Sequence, residues 1–332
     1  MTEAREPAGA HDNLAWECCQ RWAADRARFA LYYEDQAGCC QAWSFWDIQR
    51  LANRLSNALG ALGTLRGERI AIILPQRPEA AVAHIACYQM GAIAVPLSPA
   101  LDEEKLAARL ARSEVRIAIT EDPSLPQSPE LRERLPNLRH VITLAAGSGG
   151  DKAVHNWTRL LEYAAPRYNP QVTSAADAAL IISSGDAAEP AEDALLGHGA
   201  LCAALPGLVA AHNGFPQTAD MLWSPTDWDT TQGLFGGLLL AWHFGQPILA
   251  YRGGFDPAKA FWLMAKYGIR NTQLSPAALT TMMGELPKPK EKYGPDLNLR
   301  SIAGSGAIAD EKLKNWVQAE LGVTLGEAPA VR

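Results

Sequence analysis

The alternation of strand-like and helix-like segments is the feature that most constrains the fold. Short apolar segments alternate with amphipathic segments over residues 69–120 and again over residues 221–274. The spacing repeats, because Gly91 to Val115 and Gly245 to Ile269 both span 24 positions. This pattern predicts an α/β protein with two similar parallel-sheet halves, over residues 12–175 and 176–332. A coincidence between two unrelated βαβ segments is the alternative.

Several element boundaries follow from local signals. Ser44 and Asp47 have the spacing of a capping box, which predicts the start of a helix. Gly63 follows the last apolar position of that helix and is predicted to end it. The predicted strands are 69–74, 91–95, 116–120, 221–224, 245–250 and 269–274, and the predicted helices are 79–90, 103–112, 233–244 and 257–267. The proline-containing segments 121–136 and 284–296 are predicted to be exposed connections.

A long stretch without basic residues contains the most informative loop. The 84 residues between Arg167 and Arg252 contain no lysine or arginine, but they include eight carboxylates. Within them, an apolar strand over 178–182 leads into Ser183, Ser184, Gly185 and Asp186. A small polar loop after a strand is typical of phosphate sites, which also need a cation. This stretch supplies no such cation. The loop that begins at Ser183 and a second loop, 224–228, are both predicted to lie at the carboxyl ends of their strands.

Composition excludes several classes of function. The net charge of −6 and the absence of a basic run argue against nucleic acid or an anionic membrane as partner. Residues 1–11 lack the order of a secretory signal, and the apolar stretches 199–211 and 233–242 are shorter than the roughly 20 residues of a membrane span. A cytoplasmic protein without a membrane span is therefore predicted. The six cysteines lack zinc-ligand spacing, so free thiols and no metal site are expected.

Three segments carry a resemblance to a known family: residues 66–98, 223–237 and 255–301. In this order they resemble the AMP-forming acyl-CoA synthetases of the adenylate-forming ligase superfamily, particularly the acetyl- and medium-chain branch. The resemblance extends from about residue 14 to residue 327. It implies the α/β architecture of the large N-terminal domain of those enzymes.

The resemblance also implies a chemistry and a set of site residues. Such enzymes use Mg-ATP to convert a short or medium-chain carboxylic acid to acyl-AMP, and then transfer the acyl group to coenzyme A. ATP, magnesium, coenzyme A and a carboxylic acid ligand are implied for this chain by the resemblance alone. The implied nucleotide positions are Ser183, Ser184, Gly185, Asp186, Gly304 and Gly306, and the implied substrate pocket contains His198, Asp227 and Trp228. Packing is the alternative role for His198 and Trp228, and turn formation is the alternative for Asp227. No catalytic residue and no metal ligand is assigned.

The phosphate loop departs from the family pattern at its most important positions. Asp186 and Ala187 replace threonines, Ala188 replaces a glycine, Ala191 replaces the lysine and Glu192 replaces the last glycine. A carboxylate about 4 Å from a phosphate oxygen costs about 4 kcal/mol at an effective dielectric constant near 20. Tight ATP binding is therefore not expected. A solvated acidic loop without a ligand is one alternative, and a metal held by Asp186, Glu189, Glu192 and Asp193 is another.

The end of the sequence leads to three hypotheses about function. Relatives continue beyond Glu327 into a Tyr-Gly-x-Thr-Glu motif, which this sequence does not contain, and Ala307 replaces an acidic residue. We therefore expect a chain truncated before the barrel subdomain and the mobile C-terminal domain, and inactive as a ligase by itself. The alternatives are one half of a split ligase and a non-catalytic acyl-binding or interaction module. A partner chain or self-association would cover the apolar edge left exposed.

Overall fold

The computed structural model describes residues 12–122, 131, 133–145, 151–184, 192–304 and 310–328, without the side chains of residues 183, 184 and 192. The strands, in chain order, are β1 Phe29–Asp35, β2 Cys40–Ser44, β3 Arg69–Ile73, β4 Ile93–Pro96, β5 Ile117–Thr120, β6 His140–Thr143, β7 Val154–Asn156, β8 Ala178–Ser184, β9 Glu192–Gly197, β10 Leu222–Trp223, β11 Ile248–Arg252, β12 Asn271–Leu274, β13 Ser301–Gly304 and β14 Leu325–Glu327.

The α-helices, in chain order, are α1 Leu14–Cys18, α2 Phe45–Ala61, α3 Pro78–Met90, α4 Glu103–Arg112, α5 Trp157–Glu162, α6 Ala200–Ala211, α7 Thr231–Gly233, α8 Leu240–His243, α9 Pro257–Tyr267, α10 Pro276–Glu285, α11 Pro289–Tyr293 and α12 Glu311–Trp316. Two π-helical segments, Leu234–Leu239 and Val317–Leu321, extend α7 and α12. No helix in the described ranges is long and apolar enough to cross a membrane.

The described residues form two seven-stranded sheets, each of which belongs to one compact unit. The first sheet has the order β7-β6-β5-β3-β4-β8-β9, and its pairs are parallel except for the antiparallel hairpin β8–β9. The second has the order β14-β13-β12-β10-β11-β1-β2, with parallel pairing from β14 to β1. The prediction of two α/β halves is confirmed.

Each sheet has its own apolar core. In the first unit, strand residues such as Ala71 and Val95 pack with Leu106 and Leu110 of α4. In the second, Trp223 of β10 packs with Phe261 and Met264 of α9. Strands that are covered by helices consist of nearly continuous apolar residues because neither face meets water.

The division between the units differs from the predicted boundary at residue 175. The first unit contains the described residues up to Arg28 together with Ser44–Ala200, and the second contains Phe29–Trp43 together with the residues from Leu201. Ala94 of β4 pairs with Leu180, which places the 178–197 hairpin in the first sheet. Leu31 pairs with Ile248, which places β1 in the second. Sheet pairing between distant segments, and not sequence continuity, sets this division.

Local helix signals were accurate. Ser44 and Asp47 form the predicted capping box, because the Ser44 hydroxyl accepts from the Asp47 N–H and the Asp47 carboxylate accepts from the Ser44 N–H. The predicted helix 257–267 has the observed bounds of α9, with Asp256 as its N-cap. Gly268 ends this helix at φ 61°, a conformation that favours glycine.

The predicted connection 284–296 is only partly irregular. It contains α11 and a 3₁₀ turn, Gly294–Asp296, and Pro289 is buried. The Tyr293 ring lies against Phe261, with ring centroids 6.1 Å apart. The proline pattern indicated a break in the chain correctly, but it did not show that this segment covers part of the core.

Candidate functional site

The predicted phosphate loop joins β8 to β9 at one edge of the first sheet. Ser183 lies opposite Asp193 and Ser184 lies opposite Glu192 in the antiparallel register. The predicted site residues Gly185 and Asp186 lie outside the described residues, and so do residues 187–191. The structure therefore describes the base of the hairpin and the surroundings of that base.

Asp193, at this base, binds two arginines of α4. Its Oδ2 atom accepts a hydrogen bond from Arg112 Nε at 2.7 Å, and its Oδ1 atom accepts from Arg112 Nη2 at 2.8 Å. Arg109 Nη1 lies 3.5 Å from Oδ1. The interpretation that this region has no cation holds for the local sequence, whereas α4 brings two cations to the hairpin. Both of them contact a carboxylate.

A third arginine lies beyond the carboxyl end of β3. Arg77 precedes α3, and its guanidinium contacts Glu79 at 2.7 Å and also Glu121, which follows β5. Burial favours loss of the proton, but the two carboxylates outweigh it and raise the pKa of Arg77 above its ordinary value. This cation is also held by acidic side chains.

In the second unit, the loop after β10 is fixed by its own hydrogen bonds. The Ser224 hydroxyl donates to the Gln273 carbonyl oxygen at 3.1 Å and accepts from the Thr226 N–H at 3.2 Å. Trp228 is buried. Asp227 is exposed as a residue, but protein atoms around its carboxyl group reduce the hydration of the charged form and so raise the pKa of this group. The turn role that was the alternative for Asp227 fits the Thr230 hydroxyl, which donates to the Asp227 carbonyl oxygen at 3.0 Å.

Two glycines in the following helical segment lie against this carboxyl edge of the second sheet. A Cβ atom at Gly233 would lie 1.9 Å from the Asp227 carbonyl oxygen, and one at Gly236 would lie 1.9 Å from Gln273 Oε1. The Gln273 side chain is buried, and its amide oxygen and nitrogen have no hydrogen-bond partner among the described residues. A buried amide without a partner is costly, so Gln273 is a candidate for contact with a bound molecule.

The predicted adenine-side positions are described only in part. Gly304 ends β13, and its carbonyl oxygen accepts a hydrogen bond from the Ala328 N–H at 3.1 Å. Gly306 lies outside the described residues. Its predicted role therefore stays a prediction.

His198, a predicted pocket residue, is 2% exposed and lies in the first unit. Its Nδ1 atom accepts a hydrogen bond from the Leu14 N–H at 3.2 Å, and its ring lies edge-on to Tyr88. Burial is the main cause that lowers the pKa of His198, to about 4. A neutral imidazole that fixes α1 is therefore the role that these contacts support, and Nε2 has no partner among the described atoms.

No group of three or more potential metal ligands occurs among the described residues. Of the four carboxylates in the metal alternative, only the side chain of Asp193 is described, and it binds arginines. No described residue is therefore assigned as a ligand of the magnesium ion that the resemblance implies.

Sequence reasoning missed several residues that the structure brings to these edges. Arg109 and Arg112 precede Asp193 by 84 and 81 residues, and no local signal linked them to the hairpin. Gln273 did not stand out, because three of the four residues of β12 are polar, although so polar a buried parallel strand is itself unusual.

Comparisons with known proteins agree with this architecture. The family model of AMP-binding enzymes matches residues 19–328. The chain is 24% identical over 326 residues to the acetyl-coenzyme A synthetase of Bacillus subtilis, covering 92% of this chain and 53% of that protein. It is 28% identical over 337 residues to the acetyl-coenzyme A synthetase of Salmonella typhi, covering 93% and 50%.

A solved structure shows the same fold. The crystal structure of Brucella canis acyl-CoA synthetase superposes with a TM-score of 0.83 at 20% identity, covering 94% of this chain and 56% of that one. The chain thus spans about half the length of the curated relatives it matches. Since the family model covers nearly the whole sequence, the chain belongs to the AMP-binding enzyme family.

Proposed function

We propose that this chain is a divergent relative of the AMP-forming acyl-CoA synthetases that does not activate a carboxylic acid with Mg-ATP by itself. The chemistry of its relatives would be ATP-dependent formation of acyl-AMP from a short or medium-chain acid, followed by acyl transfer to coenzyme A. Such chemistry requires cations and oriented donors around the phosphates.

The state of the cations at the hairpin carries this proposal. Asp193 contacts both Arg109 and Arg112, so it neutralises one of their two positive charges and occupies their hydrogen-bond donors before a phosphate arrives. The loop sequence adds Asp186 and Glu192 and has Ala191 where relatives have a lysine. Anionic phosphates would meet carboxylates at the base and in the loop. We therefore expect weak binding of Mg-ATP.

Calorimetric titration of the purified chain with Mg-ATP tests the proposal. We expect no saturable binding up to about 1 mM nucleotide, which corresponds to less than about 4 kcal/mol of binding free energy. A variant with Asp186→Thr, Ala187→Thr, Ala188→Gly, Ala191→Lys and Glu192→Gly should bind Mg-ATP more tightly. Micromolar affinity of the unmodified chain, or pyrophosphate release by it with a carboxylic acid, would refute the proposal.

A second candidate function is acyl binding without ATP. The observation that favours it is the buried, unpartnered amide of Gln273 beside Gly236, in the unit that also contains Trp228. A carboxylic acid ligand could accept a hydrogen bond from that amide. Thermal stabilisation by short carboxylates, absent in Gln273→Leu, would support it. No stabilisation by any carboxylate or by coenzyme A would exclude it.

A pyrophosphate-release assay tests the third hypothesis, a split ligase. If a second polypeptide completes this chain, pyrophosphate release should appear only when both are mixed. Under that outcome the chain would be one part of a ligase. The proposal that it does not activate a carboxylic acid by itself would remain valid.

A further inference from the structure

A cluster of charged and nucleophilic side chains in the second unit lies on β1, β2 and α9. We call it the Glu34 cluster, and its members are Glu34, Cys40, Lys259, Lys266 and Tyr267. The Glu34 carboxylate is buried, and it accepts hydrogen bonds from Lys259 Nζ at 2.8 Å, Lys266 Nζ at 2.7 Å and the Tyr267 hydroxyl at 2.7 Å. Of these residues, the sequence drew attention only to Cys40, as one of the six cysteines expected to be free thiols.

Cys40 gives the cluster an accessible sulfur. The residue is exposed, and its Sγ atom lies 3.5 Å from Lys266 Nζ and 3.4 Å from the Tyr267 hydroxyl. As a thiol it can donate to Glu34 Oε2 at 3.6 Å or to the Gly38 carbonyl oxygen at 3.4 Å. The Lys266 ammonium group therefore lies within reach of the sulfur as a donor, whereas the single proton of the Tyr267 hydroxyl is donated to Glu34.

The charges of the cluster sum to a net positive charge beside the sulfur. Lys259 and Lys266 carry two positive charges and Glu34 carries one negative charge. Both ammonium groups also lie over the Trp262 ring, at 3.8 Å and 4.5 Å from its centroid, which restricts their positions. Asp35, the next carboxylate on β1, accepts a hydrogen bond from the Cys39 N–H at 2.9 Å. The positive charge nearest to the sulfur is that of Lys266.

We propose that Cys40 is a modification site at which the thiol exchanges with small anionic disulfides. The thiolate is the attacking form of a cysteine, and the ammonium group of Lys266, 3.5 Å from the sulfur, attracts an anionic reagent to it. In the exchange, the Cys40 sulfur bonds to one sulfur of the reagent and the reagent's S–S bond breaks. The leaving thiolate takes a proton from water. The disulfide itself is the oxidant, so no further reactant is required.

The adjacent Cys39 is a matched control, since it is also exposed but, within the described part of the chain, the lysine that contacts a sulfur contacts that of Cys40. Two variants separate the sulfurs: Cys39→Ser/Cys202→Ser keeps Cys40, and Cys40→Ser/Cys202→Ser keeps Cys39. Each is incubated with glutathione disulfide, and mass spectrometry follows the addition of one glutathionyl group. We expect Cys40 to react about tenfold faster than Cys39.

Lys266→Met in the Cys40-retaining variant tests the cause. It should slow the reaction with glutathione disulfide about tenfold and slow the reaction with the cationic disulfide cystamine much less. Should this variant fail to fold, salt titration of the parent protein replaces it, because screening should slow glutathione disulfide and not cystamine. Equal rates for Cys39 and Cys40, or equal sensitivity of both disulfides to Lys266→Met or salt, would overturn the proposal.

Discussion

The guanidinium group of Arg112 binds both carboxylate oxygens of Asp193, through Nε to Oδ2 at 2.7 Å and Nη2 to Oδ1 at 2.8 Å. Two parallel hydrogen bonds between planar groups give the pair a defined geometry. The Asp193 side chain is only 18% exposed, so the pair is less screened by solvent than a fully exposed ion pair. It connects α4 to the base of the β8–β9 hairpin, whose two strands flank the predicted phosphate loop.

Asp193→Asn should lower the free energy of unfolding by about 1–3 kcal/mol, because Arg109 and Arg112 would lose their charged acceptor. Urea denaturation measures the change. Asp25→Asn is the control: Asp25 is exposed and lies 3.8 Å from Arg28, so a change below about 0.5 kcal/mol is expected. Equal effects of the two substitutions would contradict the importance assigned to the Asp193 pair.

Gly233→Ala should destabilise the protein by about 1–3 kcal/mol, because its Cβ atom would lie 1.9 Å from the Asp227 backbone oxygen. Gly237→Ala provides a close control in the same helical segment. Its Cβ atom would meet nothing nearer than Trp228 Nε1 at 3.9 Å, so it should be neutral or slightly stabilising. Thermal denaturation of both variants measures this, and equal losses would show that the packing argument is wrong.

Glu34→Gln should destabilise the protein by about 3 kcal/mol at pH 7, because it removes a buried charge that two lysines and Tyr267 contact. Burial alone would raise the pKa of Glu34, but the hydrogen bonds from these three residues lower it to about 2. The stability that this carboxylate provides is therefore complete above about pH 4.5 and is lost as the pH falls towards 2. Urea denaturation across this range should show a shallower decline for Glu34→Gln.

If Glu34→Gln and the parent protein lost stability equally below pH 4.5, the negative charge of Glu34 would contribute nothing to the free energy of unfolding. Glu291→Gln is the control, since Glu291 pairs with Lys288 at the surface and both side chains are more than 60% exposed. We expect this control to follow the parent protein at every pH.

His198 should make stability depend on pH in a higher range. Burial lowers the pKa of His198 and of His212 to about 4, from an ordinary value of 6.5. The folded state thus favours the neutral rings, and their contribution is present above about pH 6.5 and lost as the pH falls towards 4. His198→Asn keeps an acceptor for the Leu14 N–H and removes the titration, so its unfolding free energy should fall less steeply between pH 6.5 and 4. Parallel curves would exclude His198 as a source of acid sensitivity.

Much of the fold was predictable because its signals are local. Ser44 and Asp47 identified the start of α2, and Asp256 with Gly268 bracket the helix 257–267. Caps act within one turn, so a short window of sequence contains the whole interaction. The π-helical turn over Leu234–Leu239 was predicted only as helix, because an apolar run does not distinguish the two hydrogen-bond registers.

The division into units was not predictable by the same means. Residues 31–35 of β1 pair with β11, which is more than 200 positions away, and the hairpin 178–197 joins β4. Whether a strand continues one sheet or joins another depends on pairing partners that no local pattern specifies.

The amino-acid sequence by itself determined the α/β alternation, the caps and the loss of the lysine at Ala191, since these depend on residue type and nearby spacing. Only the tertiary structure decided which charges meet. It brought Arg109 and Arg112 to Asp193, and it surrounded Glu34 with Lys259, Lys266 and Tyr267. The physical reason is that electrostatic contacts depend on distances of a few ångströms in space, which sheet pairing and helix packing set between residues far apart in the chain.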